Sequence, residues 1–149
     1  MTLATNNLYS QATRDPIPHM QPAEGPGAVS QVAFANVAGG PTLPIGTPVY
    51  LAVATGLYNK VVPGALAATN DIYGFVWPAA VTLDATGEVL GTVMLKGEVD
   101  FLEIEKLRAA GTLAGTAQQL KDVCRKPSNR ERGIVFKNLD KLGGDAGLA

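Results

Sequence analysis

Over residues 91–104 the chain reads GTVMLKGEVDFLEI, with Val93, Leu95, Gly97, Val99 and Phe101 on one side of a period-2 repeat and Lys96, Glu98 and Asp100 on the other. That pattern predicts a half-buried strand with a charged outer face, and the other apolar runs predict elements that cover it. Residues 29–37 (VSQVAFANV) alternate less regularly and predict a first strand, ended by the Gly39-Gly40-Pro41 break. Residues 49–54 (VYLAVA) are apolar on both faces, as in a strand buried on two sides. Gly56 with Tyr58, Asn59 and Lys60 predicts a turn, Val61 and Val62 a short strand, and Pro63-Gly64 a further turn. After the turn at Thr69-Asn70-Asp71, residues 72–77 (IYGFVW) set Ile72, Gly74 and Val76 on one face and Tyr73, Phe75 and Trp77 on the other, and Pro78 stops the run. A short strand over 80–83 and a hairpin-type turn over 84–87 lead into the strand at 91.

From Glu103 the period changes. Ile104, Leu107 and Arg108 follow helical spacing and Gly111 stands where a terminating glycine belongs, so a short helix is predicted over 103–110. Thr116 can cap a second helix over 117–125, with Leu120, Val123 and Cys124 on one face. Residues 127–130 (PSNR) then predict a loop and residues 133–136 a last strand. Turn signals about every ten residues between short apolar runs describe a small β-barrel or β-sandwich, so the fold class expected is mainly β with one or two short helices in the C-terminal third. The domain expected spans 29–142, followed by a flexible tail over 143–149.

Residues 1–28 show neither period. Pro16, Pro18, Pro22 and Pro26 remove donors and hold the local φ near about −65°, which predicts an extended N-terminal arm. Leu8, Tyr9, Ile17 and Met20 on that arm gain by lying on a surface, their own domain's or a neighbour's. His19 between prolines is read as an arm residue, because a metal site needs three or four converging ligands.

Composition narrows the class. The chain has 149 residues, enough for one core without metals or disulfides, and only 17% are charged, which leaves much uncharged surface for packing against other subunits. The net charge of −1 hides an asymmetry: residues 1–120 carry five Lys/Arg against nine Asp/Glu, and residues 121–149 carry seven against four. A single cysteine, Cys124, forbids an internal disulfide. No basic-then-apolar leader and no apolar run approaching about 20 residues is present, so the expectation is a soluble protein made in a cytoplasm, without a membrane partner.

The search for chemistry finds no phosphate loop, nucleophile elbow, zinc motif or dinucleotide fingerprint, so neither enzyme activity nor a cofactor or metal is expected. Glu98 and Asp100 share a strand face about 7 Å apart, as a catalytic pair would, but Lys96 stands with them and no histidine or nucleophile motif accompanies them; a solvated face is the expectation. Cys124 lies on a predicted apolar helix face and reads as a small buried hydrophobe. Ser30, His19 and Asp15 form a triad in composition only. Tyr73, Phe75 and Trp77 read either as core or as a subunit interface. The basic run Lys121, Arg125, Lys126, Arg130, Arg132 and Lys137 can neutralise phosphates, which keeps a nucleic-acid-binding module over 121–141 as the alternative function. Asp122 and Glu131 interleave with it, so a solvated face or a contact with an acidic protein surface is preferred and direct nucleic-acid binding is not expected.

In order, the Pro-rich arm, the GTPVYLA of residues 46–52, the IYGFVWPA of residues 72–79 and the GTVMLKGEVDF of residues 91–101 resemble the head decoration (cement) proteins of tailed bacteriophages, over residues 16–104. The resemblance implies a structural virion protein of β-tulip-like or jelly-roll-like architecture on the outer capsid surface. Its partners would be the major capsid protein and itself, as a homotrimer by preference or a homodimer, clamping neighbouring capsid subunits against internal pressure. The capsid-contact residues expected on the arm are Leu8, Tyr9, Pro16, Ile17, Pro18, His19 and Met20. The C-terminal part, with its helices and basic loop, is longer than in the smallest such proteins, which leaves the symmetry open.

Overall fold

The computed structural model describes residues 20–65 and 68–139. Among the described residues the protein is mainly β, with its α-helices in the C-terminal third and a single 3-10 turn at Ala68–Asn70. The strands are β1 (Met20–Pro22), β2 (Val29–Phe34), β3 (Thr42–Leu43), β4 (Pro48–Ala52), β5 (Leu57–Lys60), β6 (Gly74–Val76), β7 (Val81–Thr82), β8 (Val89–Met94), β9 (Gly97–Asp100) and β10 (Ile134–Lys137). The helices are α1 (Phe101–Ala109), α2 (Ala117–Cys124) and α3 (Pro127–Glu131). Of the two architectures expected, the barrel forms: β2-β5-β4-β6-β8 closes because β2 pairs antiparallel with β8, Val29 opposite Met94 through Phe34 opposite Val89. Closure leaves this sheet without an open edge. A separate sheet runs β1-β9-β10, with β1 antiparallel and β10 parallel to the central β9, and β3 pairs with β7.

The apolar side chains form two cores. One is the barrel interior, to which each of its five strands contributes, through Phe34, Val49, Val76, Val93 and the half-buried Tyr58, with Val32 and Val89 packed against them and Leu43, Val81 and Leu83 covering them. The other lies between the barrel wall, the three-stranded sheet and the helices, and contains Phe75, Met94, Val99, Phe101, Ile104, Leu120, Val123 and Ile134. Strands β6 and β8 are the shared wall. Phe75 and Met94 point to one core while Val76 and Val93 point to the other, which is why these strands are apolar at consecutive positions.

The stretch over 91–104 is not one strand. It runs as β8 in the barrel, breaks at Leu95-Lys96, resumes as β9 in the second sheet and enters α1 at Phe101. The break is held by Leu95 N–H, which donates to Ala28 O at 2.7 Å, and by Gly97, whose φ of +149° suits glycine. A Cβ on Gly97 would collide with the carbonyl oxygen of Gln21 in β1. One chain segment thereby joins both sheets to the first helix.

Several expected elements move. Residues 57–60 are strand β5 rather than a turn; Ala52 faces Leu57, so the reversal lies over 53–56, where Gly56 takes φ +74°. Val61 and Val62 follow β5 and are not a strand. The turn over 84–87 is not a hairpin, because β7 pairs with β3 while β8 pairs with β2 and β6; Asp84 Oδ1 instead accepts the Thr86 N–H at 2.9 Å. Residues 127–131 form α3 rather than a loop, started by Pro127, which is preorganised for a first helical position. Met20–Pro22, inside the segment expected as an extended arm over 1–28, forms β1 against β9. Residues 1–19 and the tail over 143–149 lie outside the described residues.

Two expected helix signals match the structure. Thr116 caps α2 through a reciprocal box, Gln119 N–H to Thr116 Oγ1 at 3.1 Å and Thr116 N–H to Gln119 Oε1 at 2.8 Å. Gly111 ends α1 at φ +94°, with Thr112 N–H returning to Leu107 O at 2.9 Å.

Candidate functional site

The two carboxylates of the central strand are held apart in role. Asp100 is only 5% exposed and is the N-cap of α1: its Oδ1 accepts the Leu102 N–H at 2.9 Å and its Oδ2 accepts Asn138 Nδ2 at 3.0 Å. The expectation of a solvated face fails here because the helix begins one residue later, turning an outward strand position into a cap. Glu98 remains half-exposed and pairs with Lys137 across the parallel ladder at 3.5 Å.

The structure divides the aromatic face. Phe75 is fully buried in the second core, edge-on to Phe136 with ring centroids 5.9 Å apart. Trp77 packs half-buried against the same core, and its Nε1 is buried without a hydrogen-bond partner among the described residues. Tyr73 lies beneath the Arg132 guanidinium, 3.8 Å from the ring centroid.

The basic segment is not a continuous patch. Lys121 is 1% exposed within α2. Lys126 Nζ donates to Asn70 Oδ1 at 2.6 Å and to Asn70 O at 3.3 Å. Arg132 forms a fork on Asp71, at 3.2 Å to Oδ1 and 3.1 Å to Oδ2, and donates to Ile72 O at 2.7 Å. Ser128 Oγ also donates to Asp71 Oδ1 at 3.2 Å. Burial alone would raise the Asp71 carboxyl, but the hydrogen bonds and charge of Arg132, with help from Ser128 and Lys126, hold it below its ordinary value. These contacts latch the α2–α3 region onto the segment that feeds β6. Arg125 and Arg130 are exposed. No sequence signal pointed to this latch, because its partners lie about sixty residues apart, at a separation of 61 for Asp71 and Arg132.

Met20 lies in β1 opposite Val99 and packs on the second core, so its own domain takes it up. Leu8, Tyr9, Pro16, Ile17, Pro18 and His19 lie outside the described residues. Cys124 is 3% exposed, and burial pushes its thiol far above the ordinary value, which disfavours the thiolate a nucleophile needs. Asn129, also buried, donates through Nδ2 to Val123 O and Cys124 O, each at 2.9 Å, and so helps satisfy the last carbonyls of α2. A cleft of about 570 Å³ opens between this corner and β10.

Among the described residues no group of three or more His, Cys, Asp or Glu could hold a metal ion, and no helix is long and apolar enough to cross a membrane. Comparison with protein-family models, with curated proteins and with solved structures finds no match to this chain.

Proposed function

We propose that this chain is a structural virion protein that binds the outside of a tailed-phage head and cements neighbouring major capsid subunits. The observation that carries the reading is the way the N-terminal segment enters the fold. Residues 20–22 are stitched antiparallel to β9 at the rim of the second sheet, with Ala23 N–H donating to Lys96 O at 3.0 Å. The apolar residues Leu8, Tyr9 and Ile17 therefore precede a fixed anchor on a closed domain. An apolar, Pro-rich segment in that position recovers its ordering entropy by lying on a large neighbouring surface, and repetition over a shell multiplies weak contacts. The order of sequence features that resembles the decoration proteins supports the same reading. Homotrimers are the preferred assembly, homodimers the other.

Deletion of residues 1–19 tests it. The truncated chain is expected to keep the melting transition of the full chain and to lose co-sedimentation with DNA-filled heads; retained co-sedimentation refutes the arm's role. The nucleic-acid alternative loses support from the latch, since Arg132 is neutralised by Asp71 and Lys126 is tied to Asn70. A flat dependence of DNA binding on salt disposes of it, because even a few phosphate contacts give a steep negative slope.

A further inference from the structure

We propose that the outer face of the β2–β8 ladder is where two copies of this chain pack against each other. Register and burial define the face. Phe34 and Val93 fill the barrel, with Val32 and Val89 packed against its core, so Val29, Gln31 and Ala33 of β2 and Leu90 and Thr92 of β8 point out of it. Met94, also turned outward, is covered by the second core, which bounds the face at that end. Among the described residues four large hydrophobic side chains are exposed: Val29 (38%) and Leu90 (65%) stand on this face, and Val53 (80%) stands at the β4–β5 turn of the same barrel.

Charge and shape define the occupant. Residues 25–95, which include all five barrel strands, carry four charged side chains, Lys60, Asp71, Asp84 and Glu88, whereas residues 96–139 carry fifteen. Asp71 is taken by Arg132, and Asp84 and Glu88 precede β8, so the outer positions of the ladder hold no charge. Such a face has nothing to select a charged partner, and it opposes no like charges when it meets a copy of itself. Its residues also match themselves: Ala33 lies opposite Leu90, and Gln31 opposite Thr92. About a two-fold axis running along the ladder in the plane of contact, Leu90 of each copy would meet Ala33 of the other, and Gln31 would meet Thr92. A knob then enters a hollow and an amide meets a hydroxyl. The closed barrel leaves no strand edge here, so the contact is made by side chains, face to face. Two strands cover less than the roughly 800 Å² a side of a standard interface, so the pairing is weak and concentration-dependent. The inference rests on the self-association expected above, as the homodimer, and not on the capsid.

Sedimentation velocity of the full chain from about 10 μM to about 1 mM tests it, the range in which a sub-standard interface associates. A reversible shift from monomer to dimer is expected, weakened roughly tenfold or more by Leu90→Glu, which sets a charge into the apposed faces. Val135→Glu, at a residue 54% exposed on β10 and away from this face, is expected to leave the shift unchanged. Gln31→Glu, at a position already polar and exposed, carries the same expectation as Leu90→Glu and decides the case if Leu90→Glu lowers the melting temperature. A monomer at every concentration overturns the proposal, as does a dimer that both face variants leave intact or that Val135→Glu disrupts equally. A trimer supports the assembly preferred above and overturns the two-fold pair. A chain that stays monomeric yet co-sediments with heads overturns this contact alone.

Discussion

Replacing Arg132 by alanine removes three contacts at once: the fork on Asp71, the bond to Ile72 O at 2.7 Å, and the stack on Tyr73 at 3.8 Å. The side chains of Arg132 and Asp71 are 26% and 25% exposed, so solvent screens the pair only in part. A hydrogen bond to a charged group contributes about 1.5–3 kcal/mol, and a partly exposed cation–π contact about 0.5–1. Asp71 keeps its Ser128 bond, which limits the penalty of stranding it. The expected loss is about 2–4 kcal/mol at pH 7, read from urea unfolding followed by the fluorescence of Trp77. Arg132→Lys keeps the charge but not the planar fork, and is expected to recover less than half.

The pH dependence has a definite sign. The Asp71 carboxyl is depressed in the folded state, so its contribution is fully present above the ordinary aspartate value of about 3.9 and fades as pH falls through the lower folded value. The parent chain is therefore expected to lose more stability than Arg132→Ala below about pH 4, and the gap between them to narrow. A loss under about 0.5 kcal/mol at pH 7, the size of an ordinary surface change, refutes the latch. So do parallel acid limbs in the two proteins.

Phe75→Ala empties a fully buried site in the second core and is expected to cost about 3–5 kcal/mol, with Trp77→Ala costing less because Trp77 is only partly buried; thermal melts rank the two, and the reverse order contradicts the burial. Gly97→Ala places a methyl against the Gln21 carbonyl at a φ suited to glycine, so β1 is expected to detach first, seen as faster hydrogen exchange at Ala23 than in the parent chain. The Cys124 thiol, pushed up by burial, is expected to resist a disulfide reagent at pH 8 in the folded protein and to react at once in urea; rapid labelling of the folded chain contradicts its placement.

Local signals were the legible ones. Thr116, and Gly111 after residues at helical spacing, state helix ends within a few residues, and the structure uses both as caps. The consecutive apolar residues Phe75-Val76 and Val93-Met94 carry the two-core arrangement, although the pattern does not say which strands share a wall. Barrel closure was not legible, because it depends on pairing Val29 with Met94 across the length of the domain. Strand β5 was hidden by Asn59 and Lys60, polar residues that sit half-buried on a barrel wall. The basic segment misled for a related reason: charge in sequence does not reveal its partner, and Asp71 and Asn70 reach Arg132 and Lys126 only through the fold. Asp100 misled by a single residue of phase, since a strand followed at once by a helix makes its last side chain a cap.

The proposed place of this chain, on the outside of a tailed-phage capsid, is tested most directly by electron microscopy of mature heads assembled with and without the chain. The account predicts regular density on the outer shell at three-fold or two-fold positions, into which the five-stranded barrel fits and which disappears from heads assembled without the chain. Outer shells that are identical with and without the chain contradict it.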